Sequence, residues 1–89
     1  MKEFVEDFGT VVRQLREGKG WSQDELARCA DLNRSYVGEV ERGLVIPSIV
    51  TARKLADAVG INMVNLLMRC EQLEQSRLVR RIDLNAIAY

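Results

Sequence analysis

The sequence predicts an all-α fold of five helices with a C-terminal extension, and three observations carry that expectation. A single proline and 6% aromatic residues stand among many Ala, Leu, Arg and Glu, which favours helices over turn-linked strands. Apolar residues recur at three- and four-residue intervals along most of the chain. Ser or Asn caps precede several of these stretches, and glycines close them. At 89 residues and 47% hydrophobic side chains, the chain has material for one core and not for two.

Val5, Phe8, Val12 and Leu15 share one face of the first helix, with Glu, Asp, Arg and Gln between them, and Gly18 and Gly20 close it. Ser22 opens the second. Its hydroxyl can accept from the Glu25 amide while the Glu25 carboxylate accepts from the Ser22 amide, a reciprocal capping box that predicts a helix to about Ala30. Asp31-Leu32-Asn33 interrupts the pattern, and Asn33 caps a third helix, from Arg34 to about Arg42, that buries Val37 and Val40 and ends at Gly43. Two short helices joined by so tight a turn match a helix-turn-helix unit rather than an antiparallel hairpin. Beyond the loop Leu44-Val45-Ile46-Pro47, Ser48 caps a fourth helix bearing Val50, Leu55, Ala56 and Val59, closed by Gly60. Asn62 caps a fifth, which carries Val64, Leu66, Leu67, Cys70 and Leu73 and has no marked end. Residues 78–89 read as a tail or a short strand, because the alternation from Ile82 to Leu84 is brief.

Composition excludes several function classes. The chain has no histidine, which removes imidazole-ligated metal hydrolysis, histidine acid/base catalysis and Ser-His triads. Cys29 and Cys70 lack the spacing of a metal or redox motif and read as free thiols, so no metal and no cofactor are expected. No nucleophile-base pair or phosphate-cradling loop is visible, and an enzyme is not expected. No apolar run approaches a membrane span, from which a cytoplasmic location is expected. With 13 basic and 13 acidic residues the net charge is zero, so the chain does not read as a nonspecific coat for DNA.

The runs Trp21-Ser22-Gln23-Asp24-Glu25-Leu26-Ala27, Asn33-Arg34-Ser35-Tyr36-Val37 and Glu39-Val40-Glu41-Arg42-Gly43 resemble the Cro/phage-repressor, or xenobiotic-response-element type, helix-turn-helix family. Pro47-Ser48, Lys54-Leu55-Ala56-Asp57-Ala58 and Gly60-Ile61-Asn62 extend the likeness over roughly residues 8 to 67. Within that family, the short length and the third-helix residues are similar to controller proteins of restriction-modification systems. The resemblance implies a compact five-helix lambda-repressor-like DNA-binding domain over residues 1–67. Residues 68–89 then form a C-terminal helical extension and tail, available for dimerisation.

In such folds the second helix of the unit lies in the major groove with its N-terminal side chains at base edges. Carried over, this makes Asn33, Arg34, Ser35 and Tyr36 the base-side candidates, with Tyr36 balanced between base contact and packing. Arg34 is the leading specificity residue, since a guanidinium can donate twice to guanine, a pairing worth roughly 1 to 3 kcal/mol of discrimination. Gln23 matches a position that clamps a phosphate at a helix N-terminus. Arg42 and Gly43 offer a second clamp. Glu39 stands where relatives carry a neutral or basic residue; it either accepts from cytosine N4 or is solvated or Arg-paired. Arg16 and Glu41 match a buried ion pair, against the plainer reading of a surface pair. Asp31 replaces the usual turn glycine, and Asp tolerates the left-handed conformation. Trp21 reads as a core or helix-joint aromatic, against a DNA contact, and Arg77, Arg80 and Arg81 as a solvated basic face rather than a second DNA site.

The family function is sequence-specific transcriptional regulation, as a repressor or autoregulator bound as a homodimer to palindromic double-stranded DNA. The pairing surface is assigned to Val64, Leu67, Cys70, Leu73, Ile82 and Leu84, with Ile87 nearby; the alternative is that these residues cover the subunit's own core. A second function class is an antitoxin or adaptor whose tail binds a protein partner, which Glu39 and the neutral net charge favour.

Overall fold

The computed structural model describes residues 2–87, with side chains described for residues 3–82. Five helices follow in order: α1 Lys2–Gly18, α2 Gln23–Ala30, α3 Arg34–Glu41, α4 Ile49–Val59 and α5 Met63–Ile87. The predicted caps are present. Ser22 Oγ accepts from the Glu25 amide at 3.1 Å, and the Glu25 carboxylate accepts from the Ser22 amide at 3.3 Å. Asn33, Ser48 and Asn62 cap α3, α4 and α5 through their side-chain oxygens. Each cap supplies an acceptor to one amide that the helix itself leaves unpaired.

One core joins all five helices. Phe8, Val11 and Val12 of α1 meet Leu26, Ala27 and Ala30 of α2 and Val37 and Val40 of α3. Ala52, Leu55, Ala56 and Val59 of α4 and Leu66 and Cys70 of α5 complete it. Val50 and Val64, expected on the apolar faces of α4 and α5, are exposed instead. Ala52 and Leu66 hold those inward positions, because the buried stripe is rotated from the one that the larger side chains mark.

Residues 78–87 are helical, neither tail nor strand. No Gly or Pro follows Gly60 to stop α5, and a three-residue alternation is equally compatible with a helix. Helix α5 therefore runs for 25 residues, straight through the 67/68 division drawn from the sequence.

A part-buried charge pair anchors its middle turns. Asp7 lies on the packed face of α1 and accepts from Arg77 Nη1 at 2.7 Å and Nη2 at 3.0 Å. Glu3 Oε2 lies 3.1 Å from Arg77 Nε, too poorly aligned to count as a hydrogen bond, and takes one from Arg81 Nη2 at 3.3 Å. The Asp7 carboxylate, chiefly by hydrogen bonding, holds the Arg77 guanidinium above its ordinary pKa. Arg77 thus leaves the solvated basic face assigned to it.

Candidate nucleic-acid interface

Helices α2 and α3 form the predicted unit. Asp31 adopts φ 57, ψ 51, the left-handed conformation that reverses the chain. Its amide and that of Leu32 return to the end of α2, Leu32 N donating to Ala27 O at 2.8 Å. Val37 and Val40 pin one face of α3 into the core, which turns Arg34, Ser35 and the polar side of Asn33 outward.

Helix α3 is held in orientation by a carboxylate. Glu41 Oε2 accepts from Arg16 Nε at 2.7 Å, and Oε1 accepts from Arg16 Nη2 at 3.0 Å and from Gln23 Nε2 at 3.1 Å. The two charged side chains are 2% and 12% exposed, Glu41 the deeper, so the pair is buried and not a surface pair. Arg16 Nη1 also donates to the Trp21 carbonyl at 2.8 Å, tying the α1–α2 joint to the same cluster. The bidentate bond to Glu41 raises the Arg16 pKa against the opposing effect of desolvation. Trp21 is half-buried on the core, with Lys19 Nζ 5.2 Å from its ring centre, as a helix-joint residue should be.

The predicted contact residues divide by how free they are. Arg34 and Ser35 are exposed, and the sole partner of the Arg34 guanidinium among the described residues is exposed Asp24, 3.4 Å away. Asn33 is exposed, but its Oδ1 accepts from the Ser35 amide at 2.8 Å, leaving the amide nitrogen as its unused group. Tyr36 is half-buried against the core. Glu39 is half-buried and makes no ion pair among the described residues. Gln23 gives one amide hydrogen to Glu41 and keeps the other, beside the free amides of the α2 N-terminus. Arg42 closes α3 and is exposed; Gly43 follows at φ 71, packed on Glu6 of α1.

Two glycines that sequence reasoning passes over shape this face. A Cβ on Gly9 would overlap the Val40 carbonyl oxygen and lie 2.7 Å from that of Glu41, so α1 crosses the end of α3 at backbone contact. At Gly38 a Cβ would sit 3.1 Å from Arg42 Nη1 and 3.5 Å from Gln23 Oε1, so its absence lets both polar ends converge there. Sequence reasoning also misses the Asp7–Arg77 clamp. Its one sequence signal is an acidic residue inside the apolar face made by Phe4, Val5, Phe8 and Val11.

The residues assigned to pairing do not form one surface. Val64, Leu67 and Ile82 are exposed, whereas Leu73 is half-buried against the core. Cys70 is 0% exposed and belongs to the core, which removes it from any pairing surface. The reason is helical phase: Cys70 follows Leu66 by four residues and so shares its inward face. The side chains of Leu84 and Ile87 lie outside the described ones.

A helix-turn-helix unit with a core-locked second helix and free N-terminal polar residues defines a helix-turn-helix protein. Residues 12–66 match the helix-turn-helix family, and the chain belongs to it. It is 47% identical to the restriction-modification controller protein C.AhdI from Aeromonas hydrophila, whose structure superposes with a TM-score of 0.68 over 70% of this chain and 94% of that one. The control protein C.BamHI of Bacillus amyloliquefaciens is 39% identical over 67% of this chain and 75% of its own length. A hypothetical transcription factor of Neisseria meningitidis is 42% identical over 64% of this chain, which spans 54% of that protein.

Proposed function

We propose that this protein is a sequence-specific transcriptional regulator, a repressor or autoregulator that binds palindromic double-stranded DNA as a homodimer. One observation carries the reading. The N-terminal side chains of α3 point away from the core, while Val37, Val40 and Glu41 fix the helix from behind. Such a helix can enter a major groove without rearranging the domain. Arg34 then reads a guanine, releasing an exposed contact to Asp24 that contributes about 0 to 1 kcal/mol. Asn33, Ser35 and Tyr36 lie beside it. Gln23, with the α2 amides, and Arg42 with Gly43 grip backbone phosphates. Glu39 sits within reach of the same groove as an acceptor for cytosine N4.

Similarity to controller proteins and to a transcription factor supports the regulatory role. The protein acts by binding and not by catalysis, in the cytoplasm. No described helix is long and apolar enough to cross a membrane. Two copies are required because one domain covers about one half-site, and symmetric pairing sets two α3 helices roughly 34 Å apart.

Selection from random duplex DNA tests this reading. Enrichment of a palindrome with half-sites about 10 base pairs apart, bound with steep salt dependence, is the expected result. No enrichment refutes it and leaves an antitoxin- or adaptor-type interaction module.

A further inference from the structure

Helix α5 has two apolar faces; among the described residues one packs inward and the other is exposed. Leu66, Cys70, Leu73 and Arg77 face inward, toward the core and α1. Val64, Leu67, Met68, Leu78, Val79 and Ile82 are all exposed. At 100° per residue these six fall within roughly 120° of arc, centred about 150° from the inward face. Glu71 and Gln75 occupy the middle of the same stripe.

The stripe is symmetric about residue 73. Val64 and Ile82 are equidistant from it, as are Leu67 and Val79, Met68 and Leu78, and Glu71 and Gln75. A two-fold axis through an antiparallel helix pair brings such equidistant residues opposite one another. Apolar residues then meet apolar residues throughout, and at the centre Glu71 meets an amide donor, Gln75 of the second copy. A parallel pair in register would instead set Glu71 against Glu71 in the middle of the contact.

We infer that two copies of this chain pair through an antiparallel α5–α5 contact in which Met68 of one lies against Leu78 of the other, centred on residue 73. This rests on the homodimer reading and specifies its surface. Met68 and Leu78 are 51% and 47% exposed, so polar substitutions at either leave the core intact. They are ten residues apart on one helix and cannot reach each other within a chain.

The test is sedimentation velocity of the full chain at micromolar concentration, with circular dichroism melts as a fold control. Wild type is expected to be a dimer, and Met68→Glu and Leu78→Lys each a folded monomer. The double variant Met68→Glu/Leu78→Lys is expected to dimerise again, since each new carboxylate faces a new ammonium across the axis. A monomeric wild type overturns both this surface and the dimer reading. A dimer unaffected by either single change overturns this surface alone, leaving the exposed Ile46, Ile49 and Val50 as the alternative. Failure of the double variant to recover pairing overturns the register.

Discussion

Replacing Glu41 with leucine removes one half of a buried charge pair and leaves the other half in place. The carboxylate accepts three hydrogen bonds, two from Arg16 and one from Gln23, at 2.7 to 3.1 Å. Without it the guanidinium keeps only the Trp21 carbonyl at 2.8 Å, in a site where it is 12% exposed. Stranding a buried charge in this way costs roughly 3 to 5 kcal/mol. A domain of this size has about 5 to 15 kcal/mol in total. At about 4 to 8 °C per kcal/mol the midpoint should fall by roughly 12 to 40 °C. Arg16→Met, which strands the carboxylate, should cost a similar amount.

The double variant Arg16→Met/Glu41→Leu separates the mechanism from mere damage. With both gone no buried charge is left unpaired, although the Trp21 carbonyl and the Gln23 amide each lose a partner, so it should be more stable than the poorer single variant, with a coupling energy above about 2 kcal/mol. Urea titration followed by Trp21 fluorescence measures this, because Trp21 is the only tryptophan and its carbonyl belongs to the cluster. A double variant as unstable as the two single costs summed would refute the argument.

Gly9→Ala should destabilise the fold by about 1 to 3 kcal/mol through overpacking, partly offset by roughly 1 kcal/mol of helix propensity. Gly18→Ala, with nothing within 4 Å of the new methyl group, should be neutral or stabilising in the same thermal melts. Arg34→Ala should relax the selected DNA motif at one position per half-site and leave the melting midpoint unchanged, since its only partner among the described residues is an exposed carboxylate; an unaltered motif removes Arg34 from base reading. In native protein, DTNB should titrate Cys29 alone, with Cys70 reacting only on denaturation. Burial first, and the Asp7 charge second, push the Cys70 thiol from 9.0 up to about 11. Between those values the unfolded chain has lost the proton that the native chain keeps, so stability intact below pH 9.0 should decline toward pH 11. Cys70→Ala should flatten that decline in urea midpoints measured across the range.

Much of the site is legible in the sequence. The Ser22–Glu25 capping box, the Asn33 cap and the Asp31 turn involve groups within a few residues of one another, so their geometry follows from local chemistry. Arg34 and Ser35 are readable as outward-facing because Val37 and Val40 mark the opposite face of the same helix. Where the sequence misleads, the cause is phase and reach. Val50 and Val64 read as inward because they are large and apolar, although Ala52 and Leu66 hold the inward positions. Cys70 reads as part of a pairing surface although it completes the core.

The sequence alone determined an all-α chain with four capped helix starts, a helix-turn-helix unit and the identity of its free polar residues. Each of these depends on caps and periodicity that act over one or two turns. Tertiary structure decided which faces meet. The Asp7–Arg77 clamp joins residues 70 apart, and the backbone contact of Gly9 with Val40 and Glu41 exists only once α1 crosses α3. It also decided that Gln23 gives part of its amide to Glu41, leaving the remainder for a phosphate. A carboxylate on an apolar face or a glycine inside a helix is locally unfavourable, and only its distant partner explains it.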